Sequence, residues 1–143
     1  MYRCKKYLLF DLGNIIIVGI LYLLNNGIFK ELEFIDIKLK FFLVCYFNDL
    51  ICPFGFLSYL NVLFRILNYR IRRVWEIWLW CLCSGFIWEY FAPLLKPSGI
   101  SDPCDLLCYL IGGTGYYLLG CVLFDFKLNL KLLKLLKCGG YCK

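Results

Sequence analysis

The chain has 143 residues, 62% hydrophobic and 18% charged, with 16 Lys and Arg against 10 Asp and Glu for a formal net charge of +6. Soluble domains run at about 45–50% apolar and about 25% charged, so an ordinary soluble fold is excluded; at roughly 20 apolar residues per crossing, the length suits four membrane spans. Histidine is absent, which removes Ser-His-Asp and Cys-His nucleophilic chemistry and most zinc sites, and no other catalytic constellation is recognisable, so a non-enzymatic role is expected.

The first hydrophobic run, residues 7–25, follows Arg3, Lys5 and Lys6 and carries Asp11 and Asn14. No small-residue cleavage site closes it, so it reads as an uncleaved span rather than a signal peptide. Asp11 lies about one turn in and is expected to reach water by snorkelling. Residues 30–40 alternate charged and apolar side chains and read as an interfacial connection. The second span, residues 41–64, contains Asn48, Asp49, Asn61 and Pro53, and the proline is expected to kink it. Arg65, Arg70, Arg72 and Arg73 then form the arginine cluster, with Glu76 close enough in sequence to pair locally. The third span, residues 74–95, opens on Trp75, Trp78 and Trp80, an interfacial belt, and holds Glu89 near its far end. After a turn at 96–101, Ser101 or Asp102 caps the fourth span, residues 105–126, with Pro103 in the first turn.

The distribution of bases tests this count. With the amino terminus inside, 12 of the 16 Lys and Arg fall on inside segments and four (Lys30, Lys38, Lys40, Lys96) on outside loops, as the positive-inside rule requires of four spans. The expected fold is therefore all-α: an integral membrane four-helix bundle over residues 1–126 with both termini cytoplasmic. Residues 127–143, with lysines among leucines, form a basic amphipathic tail along the inner leaflet. The positive charge points to membrane lipids as partners and not to nucleic acid. Of ten cysteines, Cys45, Cys52, Cys81 and Cys83 lie within spans and read as small hydrophobes; Cys81/Cys83 and Cys104/Cys108 lack the second pair or histidine that a zinc site needs.

A carboxylate inside a bilayer costs at least ~2.5–3.5 kcal/mol, which singles out Asp49, Glu89, Asp102 and Asp105. On this topology all four approach the outer half of the bundle from spans two, three and four. Asp102 and Asp105 share a helical face that continues through Tyr109, a donor for a carboxylate, to Gly112, Gly113 and Gly115, small residues that let helices approach closely. Two readings stand side by side: the acids cap and pack the helices, or they form a pocket at the outer leaflet for a cation, a proton or a polar lipid headgroup.

The segment Gly85-Phe86-Ile87-Trp88-Glu89, followed by Asp102-Pro103-Cys104-Asp105 and then Tyr109, Gly112 and Gly113, resembles the signature of the VanZ-like membrane proteins. Upstream, Tyr46 to Pro53 is similar to a related group of small bacterial four-helix proteins, some labelled magnesium citrate secondary transporters. The resemblance covers roughly residues 41–119; Tyr109 stands where the family usually has asparagine, and Ala92 where a glutamine is usual. It implies a multi-pass protein of the bacterial cytoplasmic membrane, and its acids Asp49, Glu89, Asp102 and Asp105 suit one of two functions. The first is a non-catalytic envelope or lipid-associated accessory protein. The second is a small secondary transporter or ion conductor coupled to Mg2+ or H+, acting as a homo-oligomer because four short helices enclose little volume. No cofactor is expected, and Mg2+ enters only as a ligand of the acids.

Overall fold

The computed structural model describes residues 2–29, 31, 36–91 and 102–124; the end of the expected third span, the turn at 96–101 and the basic tail lie outside them. Helix α1, Tyr2–Leu24, opens at its far end into a widened π turn, Asn25–Phe29. Asp36 starts α2, Ile37–Cys45, by accepting the Lys38 N–H at 2.8 Å. A distortion at Tyr46 leads into α3, Phe47–Phe64, which contains Pro53 and ends in a 3-10 turn, Arg65–Leu67. Asn68 then turns the chain with a left-handed backbone, φ 53°, a conformation asparagine tolerates better than most residues. Helix α4, Val74–Phe86, passes into a second π turn, Ile87–Phe91. Helix α5, Pro103–Phe124, is capped by Asp102, whose Oδ1 accepts the Cys104 N–H at 2.9 Å.

The structure is helical, and among the described residues there is no strand. Three stretches, Lys5–Ile28, Ile37–Leu67 and Pro103–Phe124, are long and apolar enough to cross a membrane. Where the third span is expected, α4 and its π turn account for residues 74–91; the 13 residues of α4 alone would rise only about 20 Å. Boundaries also move. The second helical stretch begins at Ile37 instead of 41, because the Asp36 cap draws Lys38 and Lys40 into the helix, and α5 begins at Pro103 instead of 105.

Helix α3 packs between α1 and α5, and α4 lies on the other side of α5. Glycines set the approach distances. A Cβ on Gly112 would run into the Leu50 carbonyl and sit 3.0 Å from Pro53 Cγ, and one on Gly113 would lie 2.6 Å from Cys81 Sγ. One face of α5 thus touches α3 nearly backbone to backbone while the adjacent face receives α4; Gly115 similarly faces the Phe54 ring of α3.

Leu57, Ile71, Ile77, Cys81, Tyr109 and Tyr116 form a small core. Large apolar residues such as Leu9, Ile16, Leu79, Ile111 and Val122 point outward, while Asp11, Asn14, Asn25, Ser58, Asn61, Glu76 and Glu89 are buried. Apolar groups outside and hydrogen-bonding groups inside are the distribution expected of a bundle surrounded by lipid.

Candidate functional site

The antiparallel path of the helices sorts the charged residues. Asp49 in the first turn of α3, Glu89 in the π turn after α4, and Asp102 and Asp105 at the start of α5 occupy one end. Tyr109, one turn further along α5, is buried with its ring against Gly85 of α4 and its hydroxyl donating to Asp49 Oδ1 at 3.4 Å. Glu89 is 7% exposed and accepts the Asp102 N–H at 3.4 Å. Asp49, Glu89 and Asp102 are the charged neighbours of Asp105. The structure thus brings together Asp49, Glu89, Asp102, Asp105 and Tyr109. Two of these groups have evident architectural work, since Asp102 caps α5 and Glu89 ties the end of α4 to that cap.

Among the described residues, Glu89, Asp102 and Asp105 form no ion pair with Lys or Arg. Nor do any three Cys, Asp or Glu side chains among them gather closely enough to hold one metal ion. The carboxylates are spread over three helix ends, and the hydrogen bonds that Glu89 accepts from the Asp102 N–H and Asp49 from the Tyr109 hydroxyl, at 3.4 Å, are long.

Asparagines invisible to the carboxylate argument close the same end. Asn25 is fully buried, and its Nδ2 donates to the Leu43 carbonyl at 2.8 Å and to Asn48 Oδ1 at 3.0 Å; Asn48 in turn donates to Asn26 Oδ1 at 3.4 Å. Further along the α1–α3 interface Asn14 donates to Ser58 at 3.2 Å. A sequence signal for this column existed: Asp11, Asn14 and Asn25 are spaced by 3 and 11 residues, which places them on one helical face.

The opposite end corrects the expectation for Asp11. It does not snorkel: it is 1% exposed and held by both terminal nitrogens of Arg70, Nη1 to Oδ2 at 2.5 Å and Nη2 to Oδ1 at 3.0 Å. Tyr116 donates to Oδ1 at 3.1 Å and accepts from Asn61 Nδ2 at 2.8 Å. The amide oxygen of Asn61, Oδ1, accepts the Ile71 N–H at 2.8 Å, which pins the segment 68–73 into the bundle and so delivers Arg70. Both Arg70 and Arg72 lie over the Tyr7 ring, at 4.5 and 5.0 Å from its centroid. Glu76 pairs with Arg73 Nε at 3.7 Å and accepts the N–H groups of Arg72 and Arg73, serving the start of α4. Desolvation, reinforced by the Glu76 carboxylate, pushes the Tyr69 phenol above its ordinary range. Between α1, the end of α3 and this segment lies a cavity of about 380 Å³.

Comparison with protein-family models, with curated proteins and with solved structures gives no significant match. The functional reading therefore rests on the two ends of the bundle.

Proposed function

We propose that the chain is a multi-pass protein of the bacterial cytoplasmic membrane with four spans and both termini in the cytoplasm. On this reading it is a VanZ-like, non-catalytic, lipid-associated accessory protein that holds a polar headgroup in the acidic end of its bundle, at the outer leaflet. One observation carries the reading: Glu89, Asp102 and Asp105 are drawn together from two elements at one end of the bundle, with no cationic side chain paired to them among the described residues. Each intramembrane carboxylate costs at least ~2.5–3.5 kcal/mol to insert, and capping α5 needs only one. Carboxylates spread over three helix ends suit an extended headgroup that carries an ammonium better than a compact ion. The two π turns, Asn25–Phe29 and Ile87–Phe91, stand at this same end; such widened turns recur at functional sites.

The test is binding of dioctanoyl phosphatidylethanolamine to the detergent-purified chain and to its Glu89→Gln/Asp105→Asn variant. The expected result is affinity about tenfold weaker in the variant with its unliganded melting temperature unchanged. A variant that melts earlier but binds as before would return these acids to capping and packing.

The second reading, a small transporter or conductor of Mg2+ or H+, is favoured by the polar column from Asn25 and Asn48 through Asn14 and Ser58 to Asp11. Proteoliposomes under a Mg2+ or pH gradient distinguish the two. Flux above empty vesicles that Asp49→Asn abolishes would support transport; wild type and variant both at the empty-vesicle level would remove it.

A further inference from the structure

The 380 Å³ cavity at the arginine end takes no part in the proposed function, yet it has the stronger chemical character of the two ends. Its size falls within the range of about 300–1,000 Å³ common to small-ligand pockets. Three arginines line it, Arg65, Arg70 and Arg72, against the single acid Asp11. That acid is already neutralised by the two-nitrogen grip of Arg70, so the wall keeps an excess of two positive charges. Arg65 and Arg72 form no ion pair among the described residues.

These cations are also placed, not merely present. Arg72 rests on the Tyr7 face, and its backbone N–H is fixed to Glu76. Arg65 stands in the 3-10 turn that the left-handed Asn68 terminates. Asn68 and Tyr69 add polar groups to the rim, and Leu8 and Val62 give one wall an apolar lining. Ile66 and Leu67, 82% and 72% exposed, follow Arg65 in the same turn and offer apolar surface beside the charged mouth. Planar guanidinium forks match phosphate oxygens better than any other side chain does.

We propose that this cavity is a phosphate site, in which Arg65 and Arg72 grip a phosphate oxyanion in front of the neutral Asp11–Arg70 pair. An anionic lipid headgroup and free inorganic phosphate present the same oxyanion. The lipid would lay its acyl chains along Ile66 and Leu67, at the surface where anionic lipids concentrate. The site is independent of the acidic end, and its phosphate arm needs no bilayer.

The experiment uses the full chain in a non-ionic detergent at constant ionic strength, titrated with dioctanoyl phosphatidylglycerol, dioctanoyl phosphatidylcholine and inorganic phosphate, and read by calorimetry and thermal shift. The expected result is saturable binding of phosphatidylglycerol, about tenfold weaker in Arg65→Gln/Arg72→Gln, and no saturation with phosphatidylcholine. Saturation with inorganic phosphate, lost in the same variant, would support the site with the free anion as its ligand. Both substitutions leave the Asp11–Arg70 pair intact, so the unliganded melting temperature should hold. Arg72→Lys, on an exposed side chain, provides the check if the double variant melts early: it keeps the charge, loses the fork and is expected to bind several-fold more weakly. The proposal is overturned if neither phosphatidylglycerol nor phosphate saturates the wild type, or if both variants bind as the wild type does.

Discussion

Asp11 shows how a charge can be kept inside an apolar bundle. Its two oxygens receive three hydrogen bonds, two from Arg70 and one from Tyr116, and the last donor is itself held by Asn61. Removing one member of such a pair leaves the other charge buried and uncompensated, a loss of about 3–5 kcal/mol in measured cases. Asp11→Asn and Arg70→Gln should each lower stability by about that much in denaturant or thermal unfolding in bicelles. The double variant should lose less than the sum, by a coupling of about 0.5–3 kcal/mol; strict additivity would mean that the pair contributes nothing as a pair. The acid and its depth are legible in the sequence, but the partner is not. Arg70 lies in an irregular segment 59 residues away, which folds into the bundle through the buried Ile71 side chain and the Asn61–Ile71 hydrogen bond. No periodicity encodes such a bond.

At the scale of the elements, the α1–α3 contact has a readable register. Asn25 meets Asn48, Val18 packs on Gly55 and Asn14 meets Ser58, so numbers fall along one helix as they rise along the other. Polar and small residues recur on matching faces of both helices, and the pairing could have been drawn from the sequence by aligning those faces. The distortion at Tyr46 could not. Asn25 Nδ2 takes the Leu43 carbonyl, which a regular helix offers to Phe47, so the break comes from another element and not from a proline or glycine at the position. The α3–α5 contact depends instead on the absence of a side chain. Gly112→Ala should push these helices apart against the Leu50 carbonyl and destabilise by about 1–3 kcal/mol. Gly19→Ala, with nothing within 4 Å of the added carbon, should be near neutral; equal melting temperatures for the two variants would refute the close-approach account.

For the whole molecule, hydropathy gives the helical class and the approximate extent of the long stretches, because burial in lipid is recorded residue by residue. Charge gives polarity along the bundle axis: Arg65, Arg70, Arg72 and Arg73 gather at one end, and Asp49, Glu89, Asp102 and Asp105 at the other. The bundle's two ends therefore differ in sign, and a topology reporter fused after Lys143 should be active only in the cytoplasm. Activity outside would invert the assignment of both ends. The acidic site was legible since each of its carboxylates is an oddity within an apolar run. The arginine cavity was not, because arginines beside a span are ordinary and only the fold-back of residues 68–73 makes them concave. The same fold-back has a consequence for synthesis. Asp11 is synthesised 59 residues before Arg70, and at about 5–20 residues per second its carboxylate waits roughly 3–12 s for that counter-charge. Tyr116 arrives later still, 105 residues behind. The first helix therefore meets α3 early, but the hydrogen bonds around its buried carboxylate are complete only once α5 has been made.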